Sequence, residues 1–269
     1  MKRIILLIAV ILITLTGYSQ TAKDFYDRGG RKLDKNDYEA AIAEYDISIR
    51  IDSTYADAYY NRANAKYHVK DLISAIADYT KVIEINPKNA MAYFYRGYIK
   101  NDLNDYRGAV ADYTKAIEID SNIIEAYNCR GYSNGGLEDY KGAIEDYTIL
   151  LKFKPKDEKA YFDRALAKKF LKDYMGAIED FTKAIDINPK YEDAYFRRGR
   201  LKVTISEIEG AIADYTKVIE LNSKNAKAYF YRGIIYYLLE KKDNACNDFR
   251  KALEFGLKEA EKAIRENCE

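Results

Sequence analysis

A 34-residue period runs through the sequence from about residue 22 to residue 259 and constrains the fold more than any other feature. An Ala-Tyr pair recurs six times at this spacing, with its tyrosine at Tyr59 first and Tyr229 last. A second alanine, followed four positions later by an aromatic residue, recurs seven times from Ala41 and Tyr45 onward. Periods of this length are typical of stacked structural repeats. The sequence therefore predicts seven repeats, each packed mainly against its neighbours.

Each repeat has the pattern of two helices. In the second repeat, residues 57–69 and 72–85 are rich in helix-forming residues, with apolar side chains at helical spacing. Lys70 and Asp71 form the expected tight turn between them. Pro87 ends the second helix, because proline disfavours the helical conformation in the residue before it. A single helix pair cannot bury its apolar face, so we expect neighbouring pairs to stack into an all-α solenoid.

These residues resemble the tetratricopeptide repeat (TPR), which has the same period and a similar pattern of aromatic and small residues. In the third repeat the pattern is carried by Tyr93, Arg96, Gly97, Ala109 and Tyr113. The resemblance implies a right-handed α-solenoid whose concave face is built mainly from first helices. In this family that face commonly holds an extended peptide or a partner's helix. The predicted repeats are 22–55, 56–89, 90–123, 124–157, 158–191, 192–225 and 226–259, with a C-terminal capping helix at 257–269.

The first nineteen residues have the layout of a secretory signal peptide. Lys2 and Arg3 precede a mostly apolar run, Ile4–Leu15, and Gly17 and Ser19 supply small residues before a cleavage point. The run is shorter than the ~20 residues that span a bilayer, which disfavours the alternative of an uncleaved anchor. We therefore expect cleavage near Ser19 and export to the periplasm or the medium.

Composition excludes several functional classes. The chain has 44 Lys and Arg against 43 Asp and Glu, without the clustered excess of cations that nucleic-acid binding needs. One His and three Cys, without a Cys-x-x-Cys pair, offer neither a credible metal site nor a Ser/His/Asp set. A mean hydropathy of −0.47 argues against a polytopic membrane protein. We expect no enzymatic activity, no metal, no cofactor and no nucleic-acid partner.

Every repeat carries an arginine where the TPR pattern has leucine, and an acidic residue sixteen positions later. In an antiparallel helix pair that turns near residues 70–71, Arg62 lies opposite Asp78. We expect one such ion pair per repeat, although solvated charges that simply recur by duplication are the alternative. The pairs are Arg62 with Asp78, Arg96 with Asp112, Arg130 with Asp146, Arg164 with Asp180 and Arg198 with Asp214, with Arg28–Glu44 and Arg232–Asp248 in the first and last repeats.

The resemblance also places aromatic, Asn and Arg side chains on the concave face, a composition typical of interaction hot spots. Some of these side chains must instead contact neighbouring first helices. Relatives that bind chaperone tails hold a carboxylate with Lys and Asn, but Tyr26, Tyr60 and Phe94 fill the phase of the leading lysine here. An acidic chaperone tail is therefore not expected. The predicted groove residues are Tyr26, Tyr60, Asn64, Tyr67, Phe94, Tyr95, Tyr98, Asn128, Tyr132, Phe162, Phe196, Arg197, Arg200, Phe230, Tyr231 and Tyr237.

Two local predictions concern glycine and cysteine. Gly135 and Gly136 should end the first helix of the fourth repeat at least a turn early, because each glycine costs roughly 1 kcal/mol of helix stability relative to alanine. If the chain reverses at Gly256, the residue opposite Cys246 lies close to Cys268, so we expect a disulfide between these two cysteines. The alternative is that all three cysteines are reduced.

The leading functional hypothesis is an exported, non-enzymatic adaptor that binds a peptide or protein segment in an aromatic groove. A structural envelope component that self-assembles is the second hypothesis. A glycan-binding module is the third, because stacked Tyr and Phe rings also suit sugar rings.

Overall fold

The computed structural model describes residues 20–268. The predicted signal peptide, 1–19, lies outside these residues. Every regular element within them is an α-helix. The helices are α1 (Ala22–Leu33), α2 (Tyr38–Ile51), α3 (Ala56–His68), α4 (Leu72–Ile85), α5 (Ala90–Asp102), α6 (Tyr106–Ile119), α7 (Ile124–Gly136), α8 (Tyr140–Phe153), α9 (Glu158–Phe170), α10 (Tyr174–Ile187), α11 (Glu192–Thr204), α12 (Ile208–Leu221), α13 (Ala226–Leu238), α14 (Lys242–Glu254) and α15 (Glu259–Asn267).

The helices form consecutive pairs, one pair to each 34-residue repeat, and α15 follows the last pair. This confirms the predicted fold class, an all-α array of helix-turn-helix repeats. The bounds of α3 and α4 agree with the sequence prediction to within one residue at each end. At the C-terminus, α15 begins at Glu259 instead of residue 257. No helix within residues 20–268 is long and apolar enough to cross a bilayer.

Side-chain caps and a repeated turn conformation define the helix boundaries. Asp105 accepts a hydrogen bond from the backbone N–H of Gly108 at 2.9 Å, and Asp173 accepts one from Gly176 at 3.0 Å. Such caps satisfy N–H groups that have no partner inside the helix. In every repeat the turn between the two helices contains one non-glycine residue with a positive φ, between 58° and 67°. These residues are Asn36, Lys70, Asn104, Glu138, Lys172, Ser206 and Glu240.

The first helix of the fourth repeat, α7, does not end early. It continues to Gly136 and has 13 residues, as α5 has, so the prediction of a shortened helix is wrong. Two buried side chains hold its last turns. The side-chain amide of Asn134 donates to Oδ2 of Asp146 at 3.2 Å, and the hydroxyl of Ser133 donates to the carbonyl of Cys129 at 3.0 Å. These bonds offset the low helix propensity of the glycines.

The chain forms two compact halves, one through Ala126 and one from Tyr127. In each half the core contains the aromatic residue that recurs in the second helices. Tyr45 and Tyr79 of the N-terminal half are at most 1% exposed, and so is Phe181 of the C-terminal half. Each half also packs second helices against the first helix of the following repeat, for example α2 on α3 and α10 on α11.

The last helix, α15, is joined to the final repeat by a disulfide. Cys246, which lies in α14 and is 5% exposed, is bonded to Cys268, and their Cα atoms are 5.7 Å apart. Gly256 has a φ of +95° and reverses the chain between the two helices. Ala260 of α15 is fully buried. Cys129 takes no part in a disulfide.

Candidate binding site

The repeated arginine lies at the centre of a buried polar cluster. Nη2 of Arg62 lies 2.6 Å from Oδ1 of Asp78, and its Nε donates to Oδ2 at 2.8 Å. Lys66 adds a third contact, with its Nζ 2.8 Å from Oδ2 of Asp78. The side chain of Asp78 is only 6% exposed, so its charge is paired out of water. The sequence prediction included the arginine but not the lysine.

The same arginine–aspartate contact occurs in the five following repeats. It joins Arg96 to Asp112, Arg130 to Asp146, Arg164 to Asp180, Arg198 to Asp214 and Arg232 to Asp248. The first repeat differs from the sequence prediction. Arg28 and Glu44 form no ion pair in the described chain, and Oε2 of Glu44 is buried without a hydrogen-bond partner. Glutamate is one methylene longer than the aspartate of the other repeats, so its carboxylate cannot occupy the same place.

Five of these arginines also reach back to the preceding repeat, namely Arg62, Arg96, Arg164, Arg198 and Arg232. Nη1 of Arg62 lies 2.5 Å from Oδ1 of Asp46, and Nη1 of Arg96 donates to Oγ1 of Thr80 at 3.0 Å. The guanidinium of Arg62 lies over the ring of Tyr59, 5.3 Å from its centroid. One side chain therefore holds two helices of its own repeat and one helix of the repeat before it. This arrangement fixes the spacing of the first helices, on which the candidate groove is built.

One predicted set of groove aromatics takes part mainly in packing. Phe94 lies 5.8 Å from Tyr113 between ring centroids, and Phe162 lies 5.4 Å from Phe181. At 8% and 7% exposure, Phe94 and Phe162 do not form groove surface, contrary to the sequence prediction, because each packs on the buried ring of its own second helix. The half-buried members of the set make the same kind of contact, Tyr26 with Tyr45, Tyr60 with Tyr79, Phe196 with Tyr215 and Phe230 with Phe249.

The N-terminal half has a cavity of ≈ 550 Å³ on its first helices. It brings together Asn64, Tyr67, Tyr95 and Tyr98 of the predicted groove. The full lining is Leu33, Asn36, Tyr38, Asn64, Tyr67, His68, Tyr79, Tyr95, Tyr98 and Ile99. Aromatic faces, an amide and tyrosine hydroxyls dominate this surface, so it can hold flat or apolar groups and accept or donate hydrogen bonds without a formal charge.

Hydrogen bonds and stacking fix the side chains of this cavity. The hydroxyl of Tyr79 donates to Oδ1 of Asn64, and that of Tyr67 donates to Oδ2 of Asp102 at 3.0 Å. Burial raises the pKa of Tyr67, and the adjacent Asp102 raises it further, so this hydroxyl keeps its proton at neutral pH. His68, the only histidine, is exposed and stacks on Tyr38 with ring centroids 4.5 Å apart.

The C-terminal half has a cavity of ≈ 570 Å³ with different chemistry. Its predicted members are Arg197, Arg200 and Tyr231. Sequence reasoning missed its aliphatic wall, of which Leu238 is 71% and Val203 is 37% exposed. The lining is Lys169, Tyr174, Arg197, Arg200, Leu201, Val203, Thr204, Ile208, Tyr215, Tyr231, Ile234, Ile235, Leu238 and Leu239.

Three cations border this aliphatic wall. Nε of Arg197 lies 2.8 Å from Oδ2 of Asp193, and the guanidinium of Arg200 lies over the Tyr231 ring, 5.5 Å from its centroid. Partial burial lowers the pKa of Lys169, and the positive charges of Arg200 and Arg197 lower it further. The cations thus repel one another beside an apolar surface, which favours a bound anion.

The two cavities occupy equivalent places in the repeat, four repeats apart. Four lining residues match in type, namely Tyr38 with Tyr174, Tyr79 with Tyr215, Tyr95 with Tyr231 and Ile99 with Ile235. Five equivalent positions differ, namely Leu33 with Lys169, Asn64 with Arg200, Tyr67 with Val203, His68 with Thr204 and Tyr98 with Ile234. Of the missed residues, Lys169 and Val203 lie in the phase of the predicted Tyr67, and Ile234 lies in that of Tyr98, so tracing these positions through all repeats would have found them. Leu238 shares its phase with no predicted groove residue.

Nine of the sixteen predicted groove residues line neither cavity. Six of them belong to the packing set described above, of which Phe196 and Phe230 also border a smaller cavity of ≈ 220 Å³ beside Arg200. The other three, Asn128, Tyr132 and Tyr237, are exposed. Within residues 20–268 no group of three or more His, Cys, Asp or Glu side chains is placed to hold a metal ion.

Comparison with family models assigns the repeats. The model described as TPR repeat matches residues 29–69, 97–137 and 205–240. Models described as tetratricopeptide repeat match 56–89, 78–111, 158–191 and 226–255. Together these matches cover well over half of the chain. The chain belongs to the tetratricopeptide repeat family. Proteins of this family are typically interaction modules, so a role in protein–protein interaction follows from the family and the fold together.

Solved TPR structures have the same fold. MamA is 28% identical over 61% of this chain and 96% of its own, with a TM-score of 0.58. YrrB, described as a TPR protein with an unusual peptide-binding site, is 23% identical over 70% of this chain and 97% of its own, with a TM-score of 0.61. The C-terminal part of a TPR repeat-containing protein from Cytophaga hutchinsonii is 19% identical, covers 89% and 99%, and has a TM-score of 0.77. The comparison with curated proteins gives no match.

Proposed function

We propose that this TPR protein is an exported, non-enzymatic adaptor that binds an extended peptide segment of a partner protein along its first helices. The pair of equivalent cavities carries this proposal. A surface that served only for packing would have no reason to leave Tyr98 exposed in the lining of one cavity and Leu238 exposed in the lining of the other. An extended chain presents side chains at regular intervals, which suits the successive cavities of the C-terminal half. YrrB is described as having a peptide-binding site, and the proposal assigns the same kind of ligand to this chain.

Export is the second part of the proposal. The n-region, apolar run and small residues of the first nineteen positions support it, and so does the disulfide between Cys246 and Cys268, because disulfides persist in oxidising compartments. N-terminal sequencing of the protein recovered from the envelope or the medium of its native cells tests this part. We expect a mature N-terminus at or near Gln20. Recovery of the intact chain from the cytoplasm would contradict export.

Selection of ligands from a displayed random-peptide library tests the adaptor function. We expect selected peptides to bind at about micromolar affinity. Each peptide should lose about tenfold or more in affinity with the variant of the cavity that it occupies, Tyr95→Ala in the N-terminal half or Tyr231→Ala in the C-terminal half. Ile73→Ala is the matched control, since Ile73 is 71% exposed on a second helix and lines neither cavity. Circular dichroism checks that each variant keeps its helical content. A library that yields no binder, or binders equally weakened by Ile73→Ala, would contradict the proposal.

A glycan is the second candidate ligand, and the aromatic cavity of the N-terminal half favours it. Tyr67, Tyr95 and Tyr98 offer ring faces, and Asn64 offers an amide, as sugar-binding surfaces do. Titration with soluble cell-wall oligosaccharides distinguishes the two ligands. A response that Tyr98→Ala abolishes, without any peptide binder from the library, would favour the glycan.

A further inference from the structure

The cavity of the C-terminal half is one end of a longer row. Two smaller cavities, of ≈ 420 and ≈ 220 Å³, follow it along the same first helices. Arg200 lines all three cavities. Phe196 and Lys227 line the two smaller ones. A segment that places a side chain in the aliphatic cavity can therefore continue past Arg200 toward Lys227 without leaving the protein surface.

The cations of this row have few internal partners. Lys169, Arg200 and Lys227 form no ion pair within residues 20–268, although Arg198 and Lys202 of the same helix as Arg200 are both paired with Asp214. Helix α11 therefore carries two kinds of cation: Arg198 and Lys202 are paired with a buried aspartate, whereas Arg200 has no ion-pair partner within residues 20–268.

The acidic residues of the row are mostly engaged elsewhere. Oδ2 of Asp193 pairs with Arg197 at 2.8 Å. Oε1 of Glu192 accepts hydrogen bonds from the side-chain amides of Asn222 and Asn225 at 3.1 and 2.6 Å. Glu259 is the one other acid that lines these three cavities. The four cations of the row therefore outnumber its three acids, next to a wall of Val203, Ile234 and Leu238.

We propose that this row binds an internal peptide segment in which a large aliphatic residue lies next to two or more acidic residues. The inference rests on the peptide-binding function proposed above and adds the chemistry of the ligand. The aliphatic side chain enters the cavity walled by Val203, Ile234 and Leu238. The carboxylates pair with Arg200 and with Lys227 or Lys169, because charge-assisted hydrogen bonds to carboxylates are stronger than neutral ones.

Two further observations favour this ligand. Burial lowers the pKa of Lys169 and repulsion from Arg200 and Arg197 lowers it further, and an incoming carboxylate offsets this repulsion. The row also extends beyond Arg200, so the peptide main chain has room to continue, which favours an internal segment over a chain terminus. The equivalent cavity of the N-terminal half has Asn64 in place of Arg200 and Leu33 in place of Lys169, so it lacks this preference.

Binding of synthetic peptides to the full protein tests the inference. The probe is an acetylated and amidated peptide with leucine followed by two glutamates, so that no terminal carboxylate is present. The matched peptides replace both glutamates with glutamine, or the leucine with serine. We expect the glutamine peptide to bind about tenfold more weakly, a difference of about 1.4 kcal/mol. The leucine-to-serine peptide should also bind at least tenfold more weakly, and the affinity of the acidic peptide should fall with rising salt.

The variant Arg200→Asn introduces the residue that the equivalent cavity already contains at that position. We expect it to weaken binding of the acidic peptide about tenfold while changing the affinity of the glutamine peptide less than about twofold. Arg250→Asn is the control, because Arg250 is an exposed arginine on a second helix outside the row. Arg250→Asn should leave both affinities unchanged.

Equal affinity for the acidic and glutamine peptides would overturn the inference, and so would binding only of a peptide with a free terminal carboxylate. Both results leave the adaptor function standing. Failure of the acidic probe while library-selected peptides bind has the same meaning. If no peptide from the library binds, the proposed adaptor function is contradicted, and this inference, which rests on it, is contradicted as well.

Discussion

Arg62 donates from Nη1 to Oδ1 of Asp46, a residue of the preceding repeat, at 2.5 Å. The same guanidinium holds Asp78 of its own repeat through Nη2 and Nε. From the third repeat onward, a threonine takes the place of Asp46 where the contact is described, as Thr80 does for Arg96. The repeated arginine therefore stabilises both the helix pair and the stacking of neighbouring repeats.

Removal of the aspartate from one cluster should be costly. In Asp112→Ala, the half-buried cations Arg96 and Lys100 lose their shared carboxylate, and we expect the free energy of unfolding to fall by about 3–5 kcal/mol. The double variant Asp112→Ala/Arg96→Ala should lose less than the sum of the single variants, because it also removes one unpaired charge. Denaturant unfolding measures all three. Glu118→Ala, which breaks the exposed pair with Lys115, is the control and should cost about 1 kcal/mol or less. Additive losses would show that the cluster is not coupled.

The fourth repeat has Asn134 at the position where its neighbours have Lys100 and Lys168. A lysine at this position should therefore stabilise the fourth repeat. Burial raises the pKa of Asp146, which has Arg130 and the Asn134 amide as partners but no lysine. We expect Asn134→Lys to lower that pKa and to raise the free energy of unfolding at pH 7 by about 1 kcal/mol. Carboxyl ¹³C titration and denaturant unfolding measure the two effects. The reverse substitution, Lys100→Asn, should cost the third repeat a similar amount, and a gain from both variants would contradict this explanation.

A half-buried carboxyl in the fifth repeat should make stability depend on pH. Burial raises the pKa of Asp163 to about 6; the nearby Lys159 opposes this shift and Asp157 adds to it. Its folded pKa thus lies above the unfolded value of about 3.9. The stability that the protonated carboxyl contributes is full below the unfolded pKa and is lost as the pH rises through 6. Asp163→Asn should remove this loss and raise the free energy of unfolding at pH 7 by about 1–3 kcal/mol.

Denaturant unfolding at several pH values from 4 to 7 measures the effect of Asp163→Asn. The exposed residue Asp186 provides the control, since Asp186→Asn should leave the pH profile as it is. A profile for Asp163→Asn that parallels the unsubstituted protein would show that Asp163 is ionised without penalty.

The disulfide should stabilise the C-terminal end of the array. Cys246 and Cys268 are 22 residues apart, and in the chain-entropy model a loop of this length is worth about 3 kcal/mol. We expect Cys246→Ser or Cys268→Ser to lower stability by about that amount and to increase hydrogen exchange in α15. Cys129→Ser should do neither. In the purified, unreduced protein one thiol per chain should react, and a count of three would exclude the bond.

The sequence predicts architecture and single-repeat contacts better than it predicts the site. The period located the helices, and a turn near residues 70–71 placed Arg62 opposite Asp78 by simple counting. The contact from Arg62 to Asp46 depends on the rotation between repeats, which no spacing within one repeat contains. Phe94 looked like a groove residue because of its phase, but its exposure depends on how deeply it packs on Tyr113. The cations at Lys169 and Arg200 are visible in the sequence, whereas the absence of an ion pair to either of them within residues 20–268 is not.

The two equivalent cavities show that each repeat has one set of positions that hold neighbouring repeats together and another set that lines the cavities. The residues that hold repeats together, such as Arg62 and Asp78, recur almost without change, whereas the equivalents Asn64 and Arg200 differ completely in charge and size. Substitutions at the cavity positions of such an array can change the ligand preference of one site without altering the contacts between repeats. Replacing the exposed residues of α3 with those of α11 should then transfer a binding preference from one repeat to another and leave the protein folded.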